Sequence, residues 1–210
     1  MKISIINGSP KQGKNTSEIL INFFLSEIGN KNHINIYHPI KQSLNPKDFE
    51  MLSSSDVLLF VFPLYIDSIP SHLLRLLIDL DKNKIFSKNT CVYCIINNGF
   101  FEGKQNHIAI EQMKIWCIAA GATWGQAIGV GAGEMLPFVS EIPLGHGPNK
   151  NLGNAIKCLA NNLLNKKTAT DILFSPNWSR VIWRIQSTLL VWYPRAKKNN
   201  LKMRDIGKRI

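Results

Sequence analysis

Residues 56–62 have the sequence DVLLFVF, a nearly unbroken apolar run. Such a run is typical of a strand that is buried on both faces of a parallel sheet. Apolar runs elsewhere predict four further strands: Ile3–Asn7, Ile34–Tyr37, Cys91–Ile96 and Ala122–Val130. The segments with helical patterns lie between or after them: Asn15–Ile28, Pro46–Leu52, Ser71–Leu80, Asn106–Ala120 and Gly153–Leu164. This alternation predicts an α/β fold with five parallel strands and helices on both faces of the sheet.

The positive charge is concentrated at the end of the chain. The 210 residues carry 25 Lys and Arg against 14 Asp and Glu, which gives a net charge of +11. Residues 1–175 hold 16 basic and 13 acidic side chains, whereas residues 176–210 hold nine and one. We therefore predict a nearly neutral domain, residues 1–175, and a basic extension, residues 176–210. This division argues against nucleic acid as the partner of the whole protein.

The beginning of the chain is not typical of a signal peptide, because residues 7–10 (NGSP) interrupt the first apolar run. No stretch reaches the roughly 18 to 20 apolar residues of a membrane-spanning helix. Four cysteines are compatible with a reducing compartment. These features predict a cytoplasmic protein.

The cysteines are expected to lie in the core. Cys91 and Cys94 have C-x-x-C spacing, but they fall within a predicted strand. A separation of three residues places their side chains on opposite faces of that strand. Cys117 and Cys158 fall within predicted helices, and a metal or redox site is the alternative interpretation.

Residues 8–17, GSPKQGKNTS, connect the first predicted strand to the first predicted helix. In doubly wound sheets, ligands bind beyond the carboxyl ends of the strands. The N–H groups at a helix N-terminus attract anions, and Lys11 and Lys14 add positive charge. Short polar side chains are also present at Ser9, Asn15, Thr16 and Ser17. The loop predicts a phosphate site, and a capped turn without a ligand is the alternative.

The same loop differs from the phosphate loop of ATPases and GTPases. Gly8 to Lys14 matches the first part of that motif, but Asn15 stands where a Ser or Thr holds Mg²⁺. The apolar strand 56–62 is followed by Pro63 and does not end in the acidic residue that supplies the second metal contact. A dinucleotide-binding G-x-G-x-x-G motif is absent as well. These differences argue against nucleoside triphosphate hydrolysis.

Two further loops follow predicted strands. Residues 62–70, FPLYIDSIP, form an apolar loop with a proline near each end, which suits a flat ring system. A connection with Tyr65 packed on the surface is the alternative. Residues 97–103, NNGFFEG, present amide groups in a turn. Phe100 and Phe101 indicate contact with a ligand or partner there, and a plain turn is the alternative.

The three loops, with G-S-P…N-T-S, P-L-Y…P and N-N-G-F in this order, resemble those of the flavodoxin-like NAD(P)H-dependent FMN reductases. The resemblance covers roughly residues 1–165. It implies a doubly wound sheet with strand order 2-1-3-4-5, bound FMN, and a homodimer with the flavin near the interface. The compact cysteine cluster of related iron–sulfur flavoproteins is not present in this sequence.

The resemblance also implies three groups of residues that contact FMN. The first loop would hold the FMN phosphate through Ser9, Lys11, Asn15, Thr16 and Ser17. The second would lie along the isoalloxazine ring with Pro63, Leu64, Tyr65 and Ile66. The third would contact the other edge of the ring with Asn97, Asn98, Gly99 and Phe100.

The function implied is hydride transfer from NADH or NADPH, through FMN, to a small acceptor such as a quinone, azo or nitro compound. The flavin supplies the redox chemistry, so we assign no catalytic residue and no metal. No Ser/His/Asp set, zinc spacing or pair of catalytic carboxylates is recognisable. Two alternatives are a flavodoxin-type electron carrier and an interaction protein that acts through its basic tail.

Two segments have no assigned role in this scheme. Residues 129–147, GVGAGEMLPFVSEIPLGHG, are rich in glycine and form either a lid over the flavin, or a solvent loop or dimer contact.

Residues 177–193 predict an amphipathic helix that ends at Pro194 and precedes a basic end. Its apolar face consists of Trp178, Val181, Ile182, Ile185, Leu189 and Trp192. This face packs on the domain or on a second subunit, or lies on an anionic membrane surface; contact with nucleic acid has the least support.

Overall fold

A parallel sheet forms the centre of the computed structural model, which describes residues 1–11, 13, 15–29, 32–39, 45–83, 86 and 89–205. Within these residues the sheet has six strands in the order β2-β1-β3-β4-β5-β6. The strands are β1 (Lys2–Asn7), β2 (His33–Tyr37), β3 (Val57–Pro63), β4 (Cys91–Asn97), β5 (Thr123–Val130) and β6 (Ile172–Phe174). The helices up to Leu164 are α1 (Thr16–Ile28), α2 (Pro46–Ser53), α3 (Ser71–Lys82), α4 (His107–Ala120), α5 (Leu136–Val139) and α6 (Lys150–Leu164).

The α/β class and the strand order 2-1-3-4-5 are confirmed, with one strand more than predicted. β6 extends the sheet by pairing in parallel with β5, from Ile128 opposite Ile172 to Val130 opposite Phe174. The sequence prediction missed it because three residues are too few for a periodic pattern. The chain divides into two units, Met1–Pro176 and Asn177–Ile210.

Two apolar layers cover the sheet of the first unit. The side chains of β3 alternate between them: Val57, Leu59 and Val61 face one layer, and Leu58, Phe60 and Phe62 face the other. The first layer includes buried residues of α1 and α6, and the second includes those of α3 and α4. β3 is therefore buried on both faces, as its apolar sequence predicts.

The cysteines follow the same two layers, with one exception. Cys91 lies in the first layer and Cys94 in the second, which confirms that their side chains occupy opposite faces of β4. Burial raises the pKa of the Cys117 thiol to about 12. The expectation of a core position is wrong for Cys158, which is exposed. Its position in α6 falls between the buried residues of that helix, on the side that faces solvent.

The glycines near the end of β5 permit a close approach of three backbone segments. A Cβ atom on Gly131 would collide with the carbonyl oxygen of Phe101, and one on Gly103 with that of Phe174. The segment 129–147 then forms a turn at Gly133–Met135 and the short helix α5. The side-chain amide of Asn149 stabilises the segment after α5 by donating to the carbonyl oxygens of Val139 and Ile142. The lid and the dimer contact stay predictions.

The second unit begins with a helical segment that is longer than predicted. Ser179 caps α7 (Arg180–Ser187), a π-helical turn spans Thr188–Trp192, and α8 covers Tyr193–Lys198. The prediction that the helix ends at Pro194 is wrong. Tyr193 donates its backbone N–H to Thr188, five residues back, and this wider turn precedes a proline that has no N–H to donate. Among the described residues, no helix has both the length and the apolar character needed to cross a bilayer.

Candidate functional site

The loops after β1, β3 and β4 meet at the carboxyl edge of the sheet. β1 pairs with both β2 and β3, so the strand order changes direction at this point. Gly8 donates its N–H to Val61 at 2.9 Å, and Leu64 donates its N–H to Asn97 at 2.7 Å. Because such a change in strand order opens a crevice between loops, this edge is the expected ligand site of a doubly wound sheet.

The first loop is shaped by Asn15, the N-cap of α1. Its side-chain oxygen accepts the N–H of Glu18 at 3.0 Å, and its amide donates to the carbonyl oxygens of Gly13 at 2.9 Å and Lys11 at 3.3 Å. Ser9 accepts the backbone N–H of Lys11, whose side chain is exposed. The loop thus places a helix N-terminus and a cation together, which suits an anion. Gln12 and Lys14 lie outside the described residues.

Thr16 and Ser17 face protein groups. The Thr16 hydroxyl donates to the carbonyl oxygen of Gly133 at 3.2 Å. Ser17 is 1% exposed, and its hydroxyl accepts from the Asn97 amide at 3.5 Å. In this arrangement both side chains join the first loop to other parts of the site. A contact of either hydroxyl with phosphate stays a prediction.

The second loop ends in a tight turn with unusual backbone angles. Tyr65 and Ser68 exchange two backbone hydrogen bonds of 3.0 Å each, with Ile66 and Asp67 between them at φ 48° and 55°. A β-branched residue in this left-handed region costs about 1 to 3 kcal/mol, and Ile66 is 98% exposed. Gln112 of α4 supports the turn by accepting from the Ser68 hydroxyl at 3.1 Å.

The predicted ring contacts of this loop differ in exposure. Ile66 and Tyr65 are exposed, whereas Pro63 and Leu64 are half-buried at the end of β3. Pro63 pairs with Asn97 across the sheet, so the second and third loops begin side by side. The four residues therefore lie along one edge, and their contact with a flavin ring stays a prediction.

The third loop carries a buried acceptor that has no partner among the described residues. Asn98 is 4% exposed, and its side-chain oxygen makes no hydrogen bond, while its amide donates to the carbonyl oxygen of Glu102 at 3.2 Å. A buried acceptor without a partner has a free-energy cost that a ligand donor removes. Phe100, two residues after Asn98, is 54% exposed. Gly99 has room around it, since among the described residues a Cβ atom there would approach only Glu134, at 3.9 Å.

Asn97 connects the three loops. Its amide donates to the carbonyl oxygen of Phe62 at 3.2 Å and to the hydroxyl of Ser17. A Cβ atom on Gly133 would lie 2.8 Å from its side-chain oxygen, so a larger residue there would displace the Asn97 side chain. Asn97 thus acts between loops, and its predicted contact with flavin remains untested.

Sequence reasoning missed three residues that shape the site: His72, Gln112 and Gly133. His72 of α3 donates from Nε2 to the carbonyl oxygen of Gly8 at 3.0 Å, and burial lowers its pKa. These residues belong to helices or to a glycine-rich stretch outside the three motifs. No spacing in the sequence indicates which of them reach the carboxyl edge.

The donors and acceptors of this edge fit a ligand with a phosphate and a polar ring. The helix N-terminus and Lys11 suit the phosphate, and the unpaired oxygen of Asn98 suits an N–H donor of the ring. Within the described part of the chain, no three His, Cys, Asp or Glu side chains are grouped so that they could hold a metal ion.

The sheet order and the position of this edge define a flavodoxin-like fold. No protein-family model matches the chain, and no curated protein matches its sequence. Solved structures match its fold. An FMN-dependent NADH-azoreductase from Bacillus anthracis, in complex with FMN, has a TM-score of 0.56 at 14% identity, over 78% of this chain and 99% of that one.

Two other solved structures show the same likeness. The Trp repressor binding protein from Bacillus subtilis has a TM-score of 0.56 at 14% identity, over 75% of this chain and 98% of that one. An NADH:FMN oxidoreductase in its apo form has a TM-score of 0.55 at 16% identity, over 77% of this chain and 89% of that one. At these identities the comparison establishes the fold.

Proposed function

We propose that this protein is an FMN-dependent oxidoreductase that takes hydride from NADH or NADPH and reduces a small acceptor. The observation that carries the proposal is the buried oxygen of Asn98, which has no partner among the described residues, at the edge where α1 also begins. Support comes from the neighbours, which include an FMN-dependent NADH-azoreductase and an NADH:FMN oxidoreductase. FMN, when bound, supplies the capacity to accept hydride and to pass electrons on.

Each loop has its own task in this proposal. The first loop binds the phosphate through the N-terminus of α1, Ser9 and Lys11, while Asn15 holds the shape of the loop. The second loop covers the ring with Tyr65 and Ile66. The amides and backbone of the third loop orient the polar edge of the ring, and the exposed ring of Phe100 excludes water there.

The acceptor in this proposal is a planar quinone, azo or nitro compound, because such a molecule can stack on an exposed ring between apolar side chains. A homodimer, which the sequence resemblance implies, is part of the same proposal. So is a cytoplasmic location, which the start of the chain and its four cysteines favour. The electron-carrier alternative predicts the same flavin site without rapid reduction by a nicotinamide.

The first experiment combines an absorption spectrum with anaerobic stopped-flow mixing. We expect purified protein to carry or take up FMN and to be reduced rapidly by NADH or NADPH. Steady-state oxidation of the nicotinamide with a quinone, an azo dye and a nitro compound then identifies the acceptor class. Protein that binds no added FMN contradicts the proposal, and FMN-loaded protein that is reduced only slowly favours the carrier.

A second experiment tests the residue assignments with matched variants. Lys11→Ala is expected to weaken FMN binding about tenfold, because it removes one charge-assisted contact, and to leave riboflavin binding unchanged. Lys150→Ala, in α6, is the control for the loss of one exposed lysine. Asn98→Ala is expected to weaken both flavins, since the ring is common to them. Equal losses for FMN and riboflavin in Lys11→Ala would contradict the phosphate role.

A further inference from the structure

The basic tail, residues 176–210, presents a row of exposed aliphatic side chains. Val181, Ile182, Ile185 and Leu189 are 47% to 68% exposed. Val181, Ile185 and Leu189 follow one another about one helical turn apart along α7 and the following turn, and Ile182 lies next to Val181. Single exposed apolar residues are common on protein surfaces, but a continuous row marks a contact site. This row does not depend on the flavin site, and neither does the inference drawn from it.

The same tail carries exposed cations and aromatic rings. The exposed cations of the described tail are Arg180, Arg184, Arg195, Lys197, Lys198, Lys202 and Arg204. The only acid of residues 176–210 is Asp205. Trp192 and Tyr193 are about half exposed, and the Arg195 guanidinium lies 5.8 Å from the Trp192 ring. Indole and phenol rings favour the boundary between lipid headgroups and acyl chains.

We propose that α7 and α8 lie in the plane of an anionic lipid bilayer, with the aliphatic row inserted among the acyl chains. Three features of the tail are needed together for this contact: aliphatic residues for insertion, aromatic rings for the boundary, and cations for lipid phosphates. The cations also explain the choice of partner. A second tail would bring two charges of +8 together, whereas an anionic membrane neutralises them.

Nucleic acid is the less suitable polyanion. It attracts the same cations, but it offers no apolar interior into which the aliphatic row could insert. Non-specific binding to nucleic acid depends on phosphate contacts and base stacking, in which aliphatic side chains have little part. The partner that fits both the charge and the apolar row is a lipid surface.

Co-sedimentation of the full chain with vesicles tests the proposal. We expect binding to phosphatidylcholine vesicles that contain a minority of phosphatidylglycerol, and little binding to phosphatidylcholine alone. Raising the salt concentration is expected to reduce the bound fraction, because salt screens the attraction between the cations and the lipid phosphates. Failure to bind the anionic vesicles at low salt would overturn the proposal, whatever the flavin experiments show.

Two pairs of variants separate the tail from the charge of the whole protein. Lys197→Gln with Lys198→Gln is expected to weaken vesicle binding about 30-fold, the effect of removing two cations near the surface. Lys150→Gln with Lys157→Gln changes the net charge equally, but on α6, and is expected to leave binding unchanged. Equal losses from both pairs would overturn the assignment to the tail.

The aliphatic row has its own matched pair. Ile185→Glu with Leu189→Glu is expected to abolish vesicle binding, whereas Ile115→Glu with Ile118→Glu, on exposed positions of α4, is expected to have no effect. Circular dichroism and the melting temperature of each variant verify that it folds. If the tail variant instead dissociates an oligomer of a chain that binds no vesicles, the partner is a second copy. If only DNA or RNA binds the unaltered chain, the proposal is likewise overturned.

Discussion

β3 and α7 contain the same kinds of apolar residues in opposite surroundings. Every side chain from Val57 to Phe62 is fully buried between two helical layers, whereas Val181, Ile182 and Ile185 are about half exposed or more. Apart from Trp183, the helix has polar or charged residues at its remaining positions, and the strand has none. Apolar residues form a contact surface in both regions. In β3 this contact stabilises the fold, and in α7 it is the surface that we propose for association with a membrane.

The largest expected difference between the two regions is in the loss of folding stability when one apolar side chain is replaced by alanine. Phe60→Ala is expected to reduce the free energy of unfolding by about 3 to 5 kcal/mol, because it leaves a cavity beside Trp116, whose ring centre is 5.5 Å away. Ile185→Ala removes an exposed side chain and is expected to change that free energy by less than about 0.5 kcal/mol. Urea unfolding, followed by circular dichroism, measures both. A loss of several kcal/mol from Ile185→Ala would mean that the row is part of a folding core.

A smaller effect is expected where backbone segments approach closely within the first unit. Gly131→Ala is expected to reduce the free energy of unfolding by about 1 to 3 kcal/mol, because the added methyl group meets the Phe101 carbonyl oxygen and the chain must shift. Gly99→Ala is the control, since the added methyl group meets nothing closer than Glu134, at 3.9 Å, in the described part of the chain. The same urea experiment compares them. Equal stability of the two variants would show that the approach of Gly131 to Phe101 is loose.

The fold could largely be predicted because each long element has a pattern of its own. The alternation of apolar runs with periodic segments specifies helices on both faces of a parallel sheet, and β3 is buried on both sides as its sequence indicates. Two features of the fold could not be predicted from such patterns. β6 is short and depends on pairing with β5, and the helix continues through Pro194 because a wider turn precedes it.

The candidate site could be predicted only in part, because loop motifs show which segments meet but not how their side chains are paired. The three loops do converge at one edge, with Asn97 between them. The pairing of Ser17 with Asn97 and the support of Gly8 by His72 join residues 80 and 64 positions apart. Such contacts arise from tertiary packing, and a local sequence pattern carries no signal for them.

The helix caps of the two units offer a finer comparison. Asn15→Ala is expected to reduce the free energy of unfolding by about 1 kcal/mol, because the N–H of Glu18 loses its acceptor at the start of α1. Ser179→Ala removes the corresponding cap of α7, where Ile182 donates to the Ser179 hydroxyl. We expect this second change to reduce the helical circular dichroism signal of the tail, with little change in the urea midpoint. An equal shift of the midpoint in both variants would contradict the prediction.

The smallest expected effect is a pH dependence that belongs to the first unit, since all five histidines precede residue 147. Burial lowers the pKa of His72 below its usual 6.5, opposed in part by the hydrogen bond to Gly8. The unfolded chain therefore takes up a proton at His72 at a higher pH than the folded chain does. The contribution of His72 to stability is present above pH 6.5 and is lost as the pH falls through its folded pKa. His72→Gln retains a donor for Gly8 and removes the titration, so the urea midpoint of this variant should fall less between pH 7 and 5 than that of the unaltered chain. If the urea midpoint of the variant falls as much as that of the unaltered chain, other groups control the acid sensitivity. Protonation of His72 then does not weaken its hydrogen bond to Gly8.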